Sequence, residues 1–449
     1  MPTDTDIAVR GATEILETAS RPLNIWWFSH YTSTPDQQYS TQFDLAKRLV
    51  QKGHKVTFFG AGYSHYQFKE IRLAPGEKSK EEYVDGVRYI WLKTRPYRAN
   101  DWRRAFNIVG YAWRAYRYGK RLKETPDVVI GTTFHPLASL AACGVAKSKS
   151  APFIFEVKDL WPLTMIEFGR ISPNSPAAVG LRAIERFLSR RATRIITSLP
   201  GVIDYYSARG ISRNRVAWIP NGLDLARYQK LAPYSGAMNG HCTLLYAGGH
   251  VSANALDVVL QAADILQKEG NPARFVFVGG GQDKDRLVQL ARDLRLKNVQ
   301  FNNVVPKSEL VPFMERADAF ILTMRNLEAL YRYGMSFNKL CDYVAAGRPV
   351  IFAGKVSHNV VEEFDCGLVV PPEDPIAFAD AVRRFEKLTQ AQRAQMGQNG
   401  LRCARERFDI DEIGKKLEQV LLAAAERQPP LYSPGIPVPS PISAPAVRD

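Results

Sequence analysis

The segment Tyr333–Gly354, which reads YGMSFNKLCDYVAAGRPVIFAG, carries the residues best suited to chemistry. Ser336 is predicted to cap the amino end of a helix over Asn338–Ala346, and Gly347 is predicted to end it. The free backbone N–H groups and the positive dipole end of such a helix bind anions, and Lys339 adds a full positive charge in the first turn. The pattern predicts an anion site suited to a diphosphate.

Asp342 lies one turn beyond Asn338 and Lys339 on the same predicted helix. A carboxylate in this position can accept hydrogen bonds from ribose hydroxyls, and Asn338 offers a further polar contact. The alternative is a helix with an internal ion pair between Lys339 and Asp342. The residues alone leave both interpretations open.

Glycine-rich turns follow two predicted strands of the second half, with Gly248 and Gly249 in the first turn and Gly280 in the second. Glycine lets the backbone approach a nucleotide diphosphate closely. A nicotinamide fingerprint would need a glycine where Lys284 stands, so a dehydrogenase is disfavoured. Arg325, at the end of a later strand, is a candidate phosphate ligand, and a surface arginine is the alternative.

Polar residues also follow predicted strands of the first half. His135, Glu156 and Asp159 are predicted to point into a cleft from the ends of these strands, and His135 is a candidate catalytic residue. A structural histidine is the alternative for His135, and a salt bridge to Lys158 is the alternative for Glu156. The polar loop after the first strand is either a surface loop or part of an acceptor site that would use Gln37, Gln38 and Tyr39.

Alternating strands and helices position these residues, and one of the predicted helices spans Ser308–Glu315. The alternation predicts an α/β protein with two doubly wound, Rossmann-like domains facing each other across a cleft, where ligands bind beyond the carboxyl ends of the strands. C-terminal helices are predicted to pack across both domains. The predicted segments are a flexible leader 1–21, an N-terminal domain 22–232, a second domain 241–389, the C-terminal helices 390–427 and a Pro-rich disordered tail 428–449.

Composition narrows the classes of protein. No stretch approaches the roughly 18 continuous apolar residues that span a bilayer, and the acidic first residues lack the apolar run of a secretory signal. The five cysteines are scattered without a CxxC pair, and the seven histidines show no metal-binding spacing. We therefore expect a cytoplasmic protein without a disulfide framework, a cofactor or a protein-held metal.

Positive charge is concentrated in residues 88–123, which contain eleven basic residues and one acid among many aromatic side chains. This composition favours an anionic membrane surface as partner, and hence a peripheral position at the inner face of the cell membrane. A solvated basic helix whose aromatic side chains face the core is a close alternative. Nucleic acid ranks well below both because no nucleic-acid motif accompanies the charge.

The segment 333–354 resembles the donor-site motif of family 4 retaining glycosyltransferases of the GT-B fold. That motif usually has two glutamates separated by seven residues before an A-x-G-x-P-V-I run; Asp342 takes the second glutamate's place and Gly334 the first. The form here is similar to a polysaccharide-assembly branch that includes transferases of O-antigen and capsule synthesis. The runs EVKDLWP at 156–162 and PNGLD at 220–224 are similar to the same family. For the acidic pair of the first run the resemblance implies contact with the acceptor or with sugar hydroxyls, with Glu156 as an acceptor ligand and Asp159 as a catalytic residue.

The resemblance implies transfer of a sugar from a nucleotide diphosphate sugar to a hydroxyl group of a lipid-linked or saccharide acceptor, with retained configuration and no essential metal. Lys339 and the helix amino end would stabilise the departing diphosphate. One alternative is a sugar-nucleotide epimerase or a phosphorylase of the same fold. Another is a non-catalytic sugar-nucleotide-binding or membrane scaffold protein.

Overall fold

The computed structural model describes residues 21–427, apart from 36–39, 66, 99–101 and 239. The predicted leader, except Arg21, and the Pro-rich tail lie outside the described residues, as do Gln37, Gln38 and Tyr39. Within the described residues, two large sheets each form the centre of one lobe.

The first lobe is built on an eight-stranded sheet in the order β10-β9-β8-β7-β1-β2-β6-β5, in which only β5 runs antiparallel to its neighbour. The strands β1 to β10 span, in chain order, Asn24–Phe28, Lys55–Ala61, Tyr63–Ser64, Lys69–Glu70, Ser79–Val84, Val87–Leu92, Val128–Thr132, Phe153–Val157, Arg194–Thr197 and Val216–Trp218. The short strands β3 and β4 pair with each other apart from this sheet.

The second lobe is built on a parallel six-stranded sheet in the order β13-β12-β11-β14-β15-β16. Strands β11 to β16 span Thr243–Ala247, Arg274–Val278, Val299–Asn302, Ala319–Thr323, Val350–Ala353 and Gly367–Val370. In both sheets the strand order reverses beside the first strand, between β1 and β7 and between β11 and β14. Ligands of doubly wound sheets bind at such switch points.

Fifteen α-helices in the described residues connect and cover the strands. Helices α1 to α8 span Thr41–Gln51, Trp102–Arg121, Pro136–Ser148, Leu163–Glu167, Pro176–Arg191, Val202–Ser207, Leu256–Lys268 and Lys284–Asp293. Helices α9 to α15 span Val311–Arg316, Glu328–Tyr331, Asn338–Ala345, Val360–Glu363, Pro375–Lys387, Gln390–Arg407 and Ile410–Ala425.

Apolar side chains fill both faces of each sheet, as expected for parallel strands covered by helices. The two C-terminal helices divide between the lobes. Cys403 and Ala404 of α14 belong to the core of the second lobe, whereas Ile413 and Leu417 of α15 belong to the core beneath β1 and β2 of the first lobe. The prediction that these helices pack across both domains is confirmed.

Two elements differ from the prediction. The segment Ser308–Glu315, expected to be one helix, is a short 3-10 turn followed by α9, because Pro312 favours the first turn of a new helix over the interior of a longer one. The antiparallel strand β5 was not predicted. It is joined to β6 by Asp85 and Gly86, which both have positive φ, and the Asp-Gly pair was the available hairpin signal.

Candidate functional site

The amino end of α11 lies between the lobes. Its cap residue is Phe337, not Ser336 as predicted, and Phe337 supplies no side-chain hydrogen bond. The Ser336 hydroxyl is buried without a hydrogen-bond partner among the described residues. The first-turn N–H groups of α11 therefore receive no side-chain cap, and they are available to an anion.

Lys339 extends from the first turn of α11 across the glycine turn that follows β11. Its Nζ donates to the Tyr246 hydroxyl at 3.0 Å and to Asn254 Oδ1 at 3.0 Å. A Cβ added to Gly248 would lie 2.7 Å from Lys339 Cδ, so only glycine fits beneath this side chain. Burial lowers the pKa of Lys339 to about 7, which makes its charge sensitive to a bound anion.

The two glycine turns lie directly against each other. Gly248 N donates to Val278 O at 2.9 Å, and a Cβ on Gly279 would lie 2.0 Å from Gly248 O. His250 N donates to Gly280 O at 2.8 Å, which ties the two turns together. The structure thus brings the predicted Gly248, Gly249 and Gly280 together with Lys339 at the carboxyl ends of β11 and β12.

Asp342 does not pair with Lys339. Its Oδ1 accepts from the Tyr228 hydroxyl at 2.6 Å and from Lys307 Nζ at 2.9 Å. Lys307 follows β13, so this carboxylate lies beside a third strand end of the second lobe. The ion pair within α11, the alternative raised by the sequence, is not formed.

Asn221, which follows β10, joins the first lobe to α11. Its Nδ2 donates to Asn338 Oδ1 at 2.8 Å and to Ser336 O at 3.3 Å, while its Oδ1 accepts from Lys158 Nζ at 3.3 Å. Asn338 is therefore positioned by a residue that follows the last strand of the first lobe. These contacts place the amino end of α11 in the groove between the lobes.

Arg325 is held by the second lobe itself. Its guanidinium donates to Asp257 Oδ1 at 2.7 Å, to Glu373 Oε1 at 3.0 Å and to Ser252 O at 3.0 Å. Its donors are thus already used by partners within the second lobe, none of which is shared with Lys339. The structure favours the alternative to a phosphate ligand, an arginine with a structural role.

The Glu156 carboxylate likewise already has partners within the protein. Its Oε2 accepts from Trp27 Nε1 at 2.8 Å, from Gln42 Nε2 at 2.8 Å and from the Thr132 hydroxyl at 2.5 Å, and its Oε1 lies 3.1 Å from Lys158 Nζ. Both oxygens are occupied and the side chain is buried. The structure favours the salt-bridge alternative over contact with an acceptor.

His135 caps α3 instead of facing solvent. Its Nδ1 accepts from Ala138 N at 3.3 Å, so its Nε2 carries the proton and donates to His30 Nδ1 at 2.6 Å. Burial, with a smaller contribution from Arg104, lowers the pKa of His135 to about 3. Both ring nitrogens are used and the ring is neutral, which favours a structural histidine over a catalytic one.

Around His135 the first lobe gathers a cluster that the sequence did not reveal, here called the cleft cluster: His30, Tyr31, His65, Tyr97, Arg104 and His135. The His65 Nδ1 lies 2.6 Å from the Tyr97 hydroxyl, and the Arg104 guanidinium contacts the Tyr31 hydroxyl at 3.4 Å. The members come from four separate segments of the chain, so their proximity is a property of the sheet.

Asp159 is an exposed residue next to buried strand β8, and no described residue forms a hydrogen bond or an ion pair with its carboxylate. The surrounding protein raises its pKa to about 6 by desolvation, although Lys158 opposes the shift. Of the three acceptor-side residues predicted after strands of the first lobe, Asp159 alone has a side chain available to a ligand.

No set of three or more His, Cys, Asp or Glu side chains suited to a metal ion occurs in the described part of the chain.

Family comparisons agree with this geometry in both lobes. Residues 41–222 match the family described as Glycosyl transferase 4-like domain, and residues 241–387 match the family described as Glycosyl transferases group 1. The chain belongs to glycosyltransferase family 4. The glycosyltransferase therefore carries the GT-B fold, with the site between its lobes.

Among curated proteins, the glycosyltransferase is similar to a colanic acid biosynthesis glycosyl transferase of Escherichia coli, WcaI. The two are 24% identical over 297 residues, which cover 63% of this chain and 72% of WcaI.

Solved structures share the fold at low sequence identity. Sucrose-phosphate synthase from Thermosynechococcus elongatus matches with a TM-score of 0.68 and 16% identity, covering 89% of this chain and 98% of that one. Anabaena HepE, in complex with UDP and glucose, matches with a TM-score of 0.63 and 13% identity, covering 89% of this chain and 99% of that one. WaaG, a glycosyltransferase involved in lipopolysaccharide biosynthesis, matches with a TM-score of 0.62 and 14% identity, covering 89% of this chain and 99% of that one.

Several residues of the glycosyltransferase site were missed by the sequence analysis. Tyr246 and Asn254 hold both Lys339 and the carbonyl of Gly249, to which each donates at 2.7 Å. Lys307 pairs with Asp342. The only available signal was position: Tyr246 and Asn254 flank the glycine turn after β11, and Lys307 follows the end of β13.

Proposed function

We propose that this glycosyltransferase moves a sugar from a nucleotide diphosphate sugar to a hydroxyl acceptor with retention of configuration. The observation that carries the proposal is the Lys339 ammonium group, which lies over Gly248 beside the uncapped amino end of α11. Both features place positive charge in the groove between the lobes. A diphosphate is the leaving group that such a site stabilises.

In the proposed reaction, the bond between the anomeric carbon and the diphosphate oxygen breaks, and the diphosphate leaves with the electron pair. The acceptor oxygen forms its bond on the same face, and its proton passes to the departing phosphate oxygen. Lys339 and the helix N–H groups stabilise charge as it develops, so the protein itself supplies the electrostatic stabilisation. No enzyme nucleophile is required.

Asp159 is the proposed contact to the acceptor from the first lobe. The residue is exposed, its carboxylate is unpaired with any described residue, and a pKa near 6 keeps it mainly ionised at neutral pH. An ionised carboxylate accepts hydrogen bonds from sugar hydroxyls. Replacement of Asp159 by Asn should therefore raise the KM for the acceptor more than the KM for the donor.

The similar proteins support a nucleotide-sugar donor and a role in glycan assembly. HepE was solved with UDP-glucose and with UDP, and WcaI and WaaG are named for colanic acid and lipopolysaccharide biosynthesis. We therefore place the glycosyltransferase in assembly of a cell-surface glycan, with a lipid-linked saccharide as acceptor.

A peripheral position at the inner face of the cell membrane is the proposed location. No helix in the described residues has the length and apolarity needed to span a bilayer. Helix α2 instead presents an exposed apolar stripe at helical spacing, formed by Trp102, Phe106, Val109 and Trp113, whose exposed fractions are 64, 52, 54 and 58%. Exposed arginines of the same helix flank this stripe, a composition that binds anionic lipid.

A thermal-shift screen against UDP-, GDP-, ADP- and dTDP-sugars tests the donor site, because a ligand of the folded state raises the apparent melting temperature. We expect nucleotide sugars of one base to raise the melting temperature of the wild type, and we expect no such rise in Lys339→Met. With that donor and a saccharide acceptor, a transfer product supports the proposal. Conversion of the donor sugar without acceptor indicates an epimerase, sugar transfer that requires inorganic phosphate indicates a phosphorylase, and binding without turnover indicates a scaffold.

Sedimentation with vesicles tests the membrane surface. Phosphatidylcholine vesicles with 30% phosphatidylglycerol should retain the wild type, and the triple variant Arg103→Glu, Arg114→Glu and Arg117→Glu should remain in the supernatant. Arg104 is left intact because it contacts Tyr31 in the cleft cluster. Equal retention of both proteins would remove the membrane proposal.

A further inference from the structure

A second concave site lies in the first lobe, outside the groove that holds Lys339. It has a volume of about 710 Å³, and its described lining comes from β4, from the loop that follows it, and from residues 93, 94, 96–98 and 103. We call it the basic groove. Its lining combines four basic side chains, Lys69, Lys93, Arg98 and Arg103, with the aromatic rings of Tyr63, Phe68 and Tyr97.

Three of the four basic side chains in the groove have no acidic partner among the described residues. Lys69, Lys93 and Arg98 form no ion pair with any described acid. Among the described residues one acid lines the groove, Glu70, and its Oε1 accepts from the backbone N–H groups of the next three residues at 3.1, 3.1 and 3.3 Å. Excess positive charge in a concave surface attracts a phosphate or diphosphate.

At its outer end the basic groove meets the apolar stripe of α2. Arg103 lines the groove, and its guanidinium carbon lies 5.4 Å from the ring centre of Trp102, the first residue of the stripe. Trp102 in turn packs edge-on against Phe106 at 5.7 Å. A ligand with a phosphate in the groove could therefore lay a hydrocarbon chain along the stripe.

At its inner end the basic groove meets the cleft cluster. Tyr97 belongs to the groove lining and its hydroxyl lies 2.6 Å from His65 Nδ1. The His65 ring lies 5.2 Å from that of Tyr31, which neighbours His135. A series of side-chain contacts thus links the apolar stripe, through the groove lining, to the cleft cluster.

We infer that the basic groove binds the phosphate or diphosphate group of a lipid-borne acceptor. Its hydrocarbon chain would contact the stripe of α2, and the saccharide attached to the phosphate would reach the cleft cluster. This inference rests on the proposed glycosyl transfer, because it names the class of acceptor. It also assigns a role to Lys69 and Lys93, which lie far from Lys339 in sequence and contact none of its partners.

Titration calorimetry with the full chain tests the inference, with farnesyl diphosphate as the probe. Farnesol carries the same hydrocarbon without charge, and inorganic pyrophosphate carries the charge without hydrocarbon. Farnesyl diphosphate should bind at least about tenfold more tightly than either, because it contacts both surfaces. Equal affinity of pyrophosphate or farnesol would overturn the inference.

The double variant Lys69→Ala, Lys93→Ala should weaken farnesyl diphosphate binding by about tenfold or more, since two charge-assisted contacts are lost. The matched control is Lys55→Ala, Lys80→Ala, which removes the same charge from exposed positions of the same lobe outside the groove. Its affinity should stay within about twofold of the wild type. Equal weakening in both double variants would show a general charge effect and overturn the inference.

The donor site provides an internal check, because it also binds diphosphates under the proposed function. Lys339→Met should leave farnesyl diphosphate binding unchanged, and loss in this variant would place the probe at the donor site and overturn the inference. The thermal shift with the nucleotide sugar should persist in Lys69→Ala, Lys93→Ala, which also shows that this variant folds. If no nucleotide sugar binds the wild type, the proposed function fails whatever the farnesyl diphosphate result.

Discussion

At the scale of single residues, the ability of a polar side chain to bind a ligand depends on the hydrogen-bond and ionic partners it already has within the protein. Lys339 has two neutral partners and lies 4.7 Å from the ring centre of Tyr246, and no acid among the described residues neutralises its charge. Burial without an acidic partner is what lowers its pKa to about 7. Such a lysine gains an anionic partner when a diphosphate binds.

We predict that donor binding weakens as pH rises above 7. The ammonium form is present below the pKa of about 7 in the free enzyme, and a bound diphosphate raises that pKa, so binding takes up a proton above pH 7. The Kd of the nucleotide sugar should increase by up to about tenfold per pH unit over that range. Calorimetry from pH 6 to 9 measures it, and an identical slope in Lys339→Met would refute the assignment.

For Arg325 we predict a loss of stability without a loss of donor affinity. Arg325→Ala removes a guanidinium that bridges Asp257 and Glu373, which should lower the melting temperature. The Kd of the nucleotide sugar, measured below the new melting temperature, should change less than about twofold if the residue binds no phosphate. A tenfold weaker Kd with unchanged stability would restore Arg325 as a phosphate ligand.

At the scale of elements, α11 is positioned by contacts at both of its ends. Asn221 holds its amino end toward the first lobe, and α14 packs behind its carboxyl end, where a Cβ on Gly397 would lie 2.3 Å from Gly347 O. Glu156 supports the amino end indirectly, since it pairs with Lys158, which donates to Asn221. A buried carboxylate on β8 thus influences a helix of the other lobe.

We predict that Glu156→Ala destabilises the first lobe by about 3–5 kcal/mol, because it leaves Lys158 without its buried partner and several donors unsatisfied. Denaturation followed by the fluorescence of Trp26 and Trp27 reports on this lobe, in which both rings are buried. Glu328→Ala is the control, since its ion pair with Lys355 is exposed and should contribute less than about 1 kcal/mol. Similar losses in the two variants would contradict a structural role for Glu156.

At the scale of the whole molecule, the chain crosses back to the first lobe after building the second. Helix α15 packs against α1 and contributes Ile413, Leu417 and Leu421 to the core beneath β1 and β2. Arg48 of α1 also donates to Asp411 at 2.7 Å. The end of the described chain therefore packs against its beginning and stabilises it.

We predict that Leu417→Ala lowers the free energy of unfolding of the first lobe by about 2–5 kcal/mol, as is usual for a fully buried leucine. The tryptophan fluorescence that follows the first lobe should show an earlier transition, although residue 417 follows the whole second lobe in sequence. The exposed neighbour Lys415→Ala should have almost no effect. An unchanged fluorescence transition in Leu417→Ala would contradict the packing described for α15.

Local patterns determined the architecture from the sequence alone. Apolar runs and helical periodicity predicted most strands and helices, because these signals depend on residues close together in the chain. The same locality allowed the anion site at α11 to be predicted from Lys339 and the turn before it. Local patterns did not identify the residue that caps the amino end of α11. Ser336 has the residue type that usually caps a helix, but Phe337 occupies the cap position in the structure.

Only the tertiary structure decided which polar residues at strand ends are available to ligands. Glu156 and Arg325 are occupied by partners up to 129 and 73 positions away in the chain, whereas Asp159 has no described partner. His135 is paired with His30 across 105 positions. Hydrogen bonds and ion pairs form between side chains that the sheet brings together, and no local pattern encodes that proximity.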